Sequence, residues 1–266
     1  MRILPKKSLG QNFLVDKNIR SKIIAACGFR PEDTVLEIGS GKGEMTAGIA
    51  ERCLRIHALE LDSRLHPLLR DTLRPFKNVR LIRRDVLKFD FNRSLKENRI
   101  KVFGNVPYYI STPIIERLIK YRKKISAVYI TVQKEFALRI TASPGSKQYG
   151  SSSCYVQYYF RPRMLFTIGR GSFFPVPKVD SALLELIPHT KTPFAAIDEK
   201  GFFRIIRAAF SQRRKTLRNS LSGLIPEGRL EAFFLRNGLS RDVRPEDLGL
   251  ADFFDLCFPE KIRKKP

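Results

Sequence analysis

The chain is poor in the residues that hold metals and disulfides. Its four cysteines, Cys27, Cys53, Cys154 and Cys257, stand far apart with no CxxC pair, and its three histidines, His57, His66 and His189, show no ligand spacing. That excludes the common zinc and disulfide frameworks and leaves the cysteines as small buried hydrophobes. No apolar run approaches the roughly 20 residues a membrane-spanning helix needs, and the N-terminal stretch MRILPKKSLGQNFL lacks the apolar core of a signal peptide. Internal repeats and low-complexity segments are missing too. These absences together predict a reduced, cytoplasmic, metal-free globular protein. Acidic residues are also scarce: 26 Asp and Glu face 50 Lys and Arg, for a formal net charge of +24. A surplus of that size calls for a polyanionic partner, which could be RNA, DNA or an anionic membrane surface. The missing apolar span weakens the last of these.

What is present is enough to build a core. Across 266 residues, 43% are hydrophobic and 20 are Phe, sufficient for one large domain and a small one. From Asp16 to Cys27, Ile19, Ile23 and Cys27 recur at helical spacing behind an Asp cap and ahead of Gly28, so this segment is predicted helical. Short β-rich runs follow at 34–39, 55–61, 79–84, 101–105 and 126–133, separated by helical patterns near 45–52, 64–74 and 112–122. That alternation predicts βαβ units and a parallel sheet, whose ligands bind at the carboxyl ends of the strands. After Gly150 come a helical stretch and two strands, MLFTIG and SALLELIP, around the rigid FFPVPKVD. Three helical patterns then follow near 199–222, 227–237 and 246–257, with a basic tail.

The segment EIGSGKGEM follows a predicted strand and precedes a helix, where a glycine-rich turn lets backbone approach a nucleotide-like ligand. A P-loop would need Ser or Thr after Lys42, and the dinucleotide motif would need glycine where Glu44 stands. Glu60 closes the next strand about 20 residues beyond the first glycine, where a carboxylate can accept from both ribose hydroxyls. Asp85 ends the third strand and could accept from an adenine amine. In register at three consecutive strand ends, these features suggest an adenosine-containing cofactor without a pyrophosphate.

The fourth strand runs into GNVPYY, an amide, a proline and two tyrosines at the same rim. The carboxamide oxygen of Asn105 and the backbone carbonyl of Val106 could both accept hydrogens from one exocyclic amine, pulling its nitrogen toward a tetrahedral shape. Pro107 fixes the turn, and Tyr108 offers a stacking platform.

The ordered segments GQNFLVD, VLEIGSGKGEMT, ALELD, RRDVLKFD, GNVPYYIST, FFPVPKVDSALLEL and AAFSQRRKTLRNSL resemble the rRNA adenine N6-dimethyltransferases over nearly the whole chain. The likeness is greatest to the bacterial KsgA type, which methylates two adjacent adenosines near the 3′ end of small-subunit 16S rRNA. The resemblance implies S-adenosylmethionine as donor, an α/β class I methyltransferase fold with a mostly parallel, Rossmann-like sheet, a small all-helical C-terminal domain, and a flipped target base. It implies that Gln11, Asn12, Leu14, Gly39 and Gly41 bind the cofactor, with Glu60 and its neighbour Leu61 at the ribose and Asp85 with Val86 at the adenine. Asn105, Val106, Pro107 and Tyr108 match the catalytic signature, Asn105 also bordering the cofactor, and Phe173 closes the other side of the base. The chain departs from the family at Val106, usually Leu or Ile, and at Tyr109, where Asn is common. The implied organisation is a catalytic domain over 1–188, a linker over 189–198 and a helical RNA-binding domain over 199–266, acting as a monomer on the 30S subunit.

The stretch 200–221 carries seven Lys or Arg and no acid. At helical spacing Phe203, Ile206, Phe210, Leu217 and Leu221 form an apolar stripe, with Arg204, Arg207, Lys215 and Arg218 beside it. These four cations, with Arg213 and Arg214, are the expected RNA contacts, and RPFKNVRLIRR and the terminal KIRKK extend the basic surface. Two other readings compete: a large-subunit rRNA methyltransferase of the erythromycin-resistance type, and a non-catalytic RNA-binding ribosome-assembly factor. A nicotinamide dehydrogenase is more distant, since Glu44 breaks its motif and the charge suits no small substrate.

Overall fold

The computed structural model describes residues 4–6, 9–191, 198–212 and 214–259. In chain order the elements are β1 (Phe13–Leu14), α1 (Lys17–Ala26), β2 (Thr34–Ile38), α2 (Glu44–Ala50), β3 (Arg55–Leu59), α3 (His66–Leu73), β4 (Val79–Ile82), α4 (Phe91–Ser94), β5 (Ile100–Asn105), α5 (Ser111–Lys120), β6 (Ile125–Gln133), α6 (Lys134–Thr141), α7 (Ser151–Tyr159), β7 (Phe160–Ile168), β8 (Phe173–Phe174), β9 (Ser181–Pro188), α8 (Glu199–Ala209), α9 (Leu217–Leu221), α10 (Glu227–Asn237) and α11 (Leu250–Cys257). Among the described residues, no helix is long and apolar enough to cross a membrane.

Seven strands form one sheet in the order β4-β3-β2-β5-β6-β9-β7. From β4 to β6 all neighbours are parallel, and β9 joins β6 antiparallel. This is a Rossmann-like, mostly parallel α/β sheet, as the alternation of strands and helices predicts. Central strands β2, β5 and β6 are buried along nearly their full length, as expected where helices cover both faces of such a sheet. The order reverses at β2, between β3 and β5, which opens a crevice at the carboxyl edge. A separate two-stranded ribbon pairs Phe13 with Phe174 and Leu14 with Phe173. At two residues per strand, it is too short for periodicity to reveal.

The chain forms two compact units: one runs through Ala137 and resumes over Arg161–Pro188, the other takes Leu138–Phe160 and the chain from His189 onward. The expected division after residue 188 differs from this in Leu138–Phe160, which carries α7. The reason is aromatic packing within the second unit, where Tyr158 sets its ring against Phe202 and Phe203, and Tyr155 meets Phe203. Of the expected 189–198 linker, residues 192–197 lie outside the described residues.

One expectation is corrected. The predicted helix over 199–222 is two helices, α8 and α9. Helix α8 starts on an Asp198 cap and ends at Phe210, while the Thr216 side chain caps α9 by accepting from the backbone N–H of Asn219. The apolar positions still face inward, with Phe203, Ile206, Leu217 and Leu221 buried, but Phe210 is only partly covered. No continuous cationic stripe therefore runs from Arg204 to Arg218.

Candidate active site

Every expected catalytic and cofactor residue lines one cleft at the carboxyl edge of the sheet: Gln11, Asn12 and Leu14, then Gly39, Gly41, Glu60, Leu61, Asp85 and Val86, then Asn105, Val106, Pro107, Tyr108 and Phe173. The cleft is built by strand ends. Backbone N–H groups of Gly39 and Ser40 donate to the Leu59 carbonyl at 2.8 and 3.1 Å, tying the loop after β2 to the end of β3, and Glu60 N–H donates to Ile82 at the end of β4. The loop turns through Gly39 and Gly41 at φ of +78° and +58°, a left-handed region that L side chains rarely adopt. A Cβ on Gly41 would also press on the Phe13 ring.

Glu60 is buried at this junction. Its Oε2 accepts the Gly41 N–H at 2.8 Å and its Oε1 the Asp62 N–H at 2.8 Å. Burial pushes its carboxyl above the ordinary range, opposed by those two backbone donors. Asp62, with a carboxyl that Arg64 holds down at about 2, accepts from Arg64 and, at 3.0 Å, from Gln11 Nε2. The N-terminal segment is thereby pinned to the end of β3. Glu37 lies beneath the loop, buried, accepting from the Thr46 hydroxyl; burial pushes its carboxyl up to about 7 against the hydrogen bonds from Thr46 and Ser40. Asp85 caps the turn after β4, its Oδ1 accepting from Leu87 N–H at 2.9 Å.

Asn105 ends β5 beside Gly39: a Cβ on that glycine would stand 3.6 Å from the Asn105 carbonyl oxygen. Its Nδ2 donates to the Asn12 carbonyl at 3.3 Å, and its Oδ1 accepts from the Thr131 hydroxyl at 2.6 Å. The Tyr108 and Ser181 hydroxyls share a hydrogen bond of 2.6 Å, and burial raises the phenol's affinity for its proton. Phe173 is buried, paired across the ribbon with Leu14, whereas Tyr109 is 64% exposed. Sequence reasoning did not single out Thr131, Ser181, Glu37 or Asp62. Thr131 and Ser181 sit in strand-like runs where a hydroxyl carries no signal of its own.

The expected RNA contacts lie in the other unit. Arg204 and Arg207 on α8 are exposed, as are Arg214 and Lys215 between the helices. Arg218 is ion-paired with Glu227 and, at 3.8 Å, Glu231. Arg213 and the basic tail over 260–266 lie outside the described residues.

Comparison with known proteins narrows what the cleft can do. The family model described as "Ribosomal RNA adenine dimethylase" matches residues 4–258. The chain is 42% identical over 261 residues to "Ribosomal RNA small subunit methyltransferase A" of Geobacillus thermodenitrificans, covering 94% of this chain and 89% of that protein. The protein of the same name from Streptococcus pneumoniae is 42% identical over 262 residues, covering 95% and 90%. Among solved structures, a dimethyladenosine transferase from Plasmodium falciparum superposes with a TM-score of 0.77 at 27% identity, covering 94% of this chain and 98% of that one. The 23S rRNA methyltransferase ErmE does so with 0.74 at 25% identity, covering 92% and 98%.

Proposed function

The chain belongs to the ribosomal RNA adenine dimethylase family, and from that premise we propose that it converts two adjacent adenosines near the 3′ end of 16S rRNA to N6,N6-dimethyladenosine within the 30S subunit. It is an S-adenosylmethionine-dependent ribosomal RNA methyltransferase. The small-subunit target is supported by relatives named for that subunit at 42% identity, against 25% for the large-subunit enzyme. The proposed ribosomal substrate supports a cytoplasmic location.

The cleft's chemistry fits S-adenosylmethionine. A carboxylate has about four lone-pair sites, and Glu60 spends one on each oxygen, leaving acceptors for a ribose diol. Asp85 likewise keeps acceptor capacity for an adenine amine after capping Leu87. Gln11, Asn12, Leu14, Leu61 and Val86 complete the walls. When bound, the cofactor supplies an electrophilic methyl group on a sulfonium.

The chain's own task is alignment. Asn105 Oδ1 and the Val106 carbonyl accept the hydrogens of the target amine and aim its lone pair out of the ring plane. Tyr108, steadied by Ser181, and Phe173 flank the base. Holding nitrogen and methyl in line contributes several kcal/mol as effective molarity, and the amine proton leaves to water, so no side chain need act as base. Exposed Arg204, Arg207, Arg214 and Lys215 supply phosphate contacts.

The observation that carries the reading is Asn105 standing against the glycine loop, its oxygen held by Thr131. The test is transfer of labelled methyl from S-adenosylmethionine to 30S particles lacking the 3′-end dimethyladenosines, with deproteinised large-subunit rRNA in parallel. Label on two adjacent 16S adenosines supports the proposal; label confined to large-subunit RNA moves the assignment to the erythromycin-resistance type. Cofactor binding with no transfer leaves an assembly factor.

A further inference from the structure

Thr131 lies in the middle of the sheet, fully buried, on β6 in register with Asn105 on β5. Registered neighbours on parallel strands project to the same face, so the buried Thr131 side chain meets that of Asn105, which lines the cleft. The Thr131 hydroxyl donates to Asn105 Oδ1 at 2.6 Å, while its next acceptor, the Gly104 carbonyl, is 3.5 Å away. On the other side, Asn105 Nδ2 donates to the Asn12 backbone carbonyl at 3.3 Å. A carbonyl can only accept, so the amide nitrogen must face Asn12 and the oxygen must face Thr131. The side chain is thus fixed in one of two orientations that differ by a half-turn.

That half-turn decides the chemistry. With the oxygen toward Thr131, one of its lone pairs takes the hydroxyl and the second is left for the target amine. After a half-turn, an NH2 group would meet an amine that is itself a donor, and the acceptor would be lost. We propose that Thr131 is a positioning residue for methyl transfer, holding the Asn105 carboxamide with its oxygen toward the target amine. The inference rests on the role proposed for Asn105, and its test includes a reading that does not.

The experiment compares Thr131→Val, which keeps the shape and removes the donor, with Thr131→Ser, which keeps the donor. Single-turnover methyl transfer to 30S particles is expected to fall roughly tenfold or more in Thr131→Val, the size of one lost hydrogen bond. The cofactor Kd should not move, and Thr131→Ser should retain most of the rate. Equal losses in both variants would mean that Thr131 acts by packing, and an undiminished Thr131→Val rate would remove its role. Without cofactor or RNA, the side-chain 15NH2 signals of Asn105, identified by their loss in Asn105→Ala, should shift or broaden in Thr131→Val and stay in place in Thr131→Ser. Unmoved signals in Thr131→Val would overturn the proposal. If the wild-type chain transfers no methyl to any rRNA, the proposed function fails, while the NH2 signals still decide what Thr131 does to Asn105.

Discussion

Glu60 Oε2 accepts the backbone N–H of Gly41 at 2.8 Å, so the carboxylate assigned to the cofactor ribose also holds the glycine loop in shape. Its other oxygen does the same for Asp62. In Glu60→Gln the new amide NH2 must face one of these backbone donors. S-adenosylmethionine binding is expected to weaken by about 1.5–3 kcal/mol, the range for a hydrogen bond to a charged group. Isothermal titration calorimetry checks this, and unchanged affinity would remove Glu60 from the site.

Tyr108 separates stacking from anchoring. Its ring is the proposed platform for the base, and its hydroxyl bonds Ser181 at 2.6 Å. Tyr108→Ala should raise the barrier in kcat/KM by about 1–3 kcal/mol through lost stacking. Tyr108→Phe keeps the ring and should cost clearly less. Equal losses in steady-state assays would show that the hydroxyl, not the ring, matters.

The buried Glu37 carboxyl gives a pH dependence of known sign. Its affinity for a proton is raised by burial, from the ordinary 4.5 to about 7. The folded chain binds this proton more tightly than the unfolded chain, so the group's contribution to stability is complete below 4.5 and is lost as pH rises through 7. At about 1.4 kcal/mol per pH unit, the loss is on the order of 3 kcal/mol. Glu37→Gln should flatten that part of the curve in urea unfolding measured from about pH 4.5 to pH 8. Parallel curves for the two proteins would contradict the assignment.

The exposed cations of α8 make a prediction about salt. Replacing both Arg204 and Arg207 with Gln should weaken binding to rRNA and lower the slope of log K against log salt by about 0.7–0.9 per lost phosphate contact. Arg218, already held by Glu227 and Glu231, should change the slope less. A double variant with the wild-type slope would place the RNA elsewhere.

Much of this was legible in the sequence, for identifiable reasons. Gly39, Glu60, Asp85 and Asn105 each follow a run of strand-forming residues, and strand ends of a parallel sheet necessarily share an edge. The break between α8 and α9 was hidden because the apolar spacing of Phe203, Ile206, Leu217 and Leu221 is compatible with one helix; only the capping hydroxyl of Thr216, three residues before Asn219, marks a new start. Thr131 and Ser181 stayed hidden because threonine and serine in a strand read as ordinary β residues. Their partners, Asn105 and Tyr108, lie 26 and 73 positions away, and only the pairing of strands brings them together.

The most direct test of the account is nucleoside analysis of 16S rRNA after incubating unmethylated 30S particles with S-adenosylmethionine and either the wild-type chain or Asn105→Ala. The account expects N6,N6-dimethyladenosine at two adjacent positions with the wild-type chain and none with Asn105→Ala, although the variant still binds the cofactor. Dimethyladenosine formed equally by both proteins would contradict it.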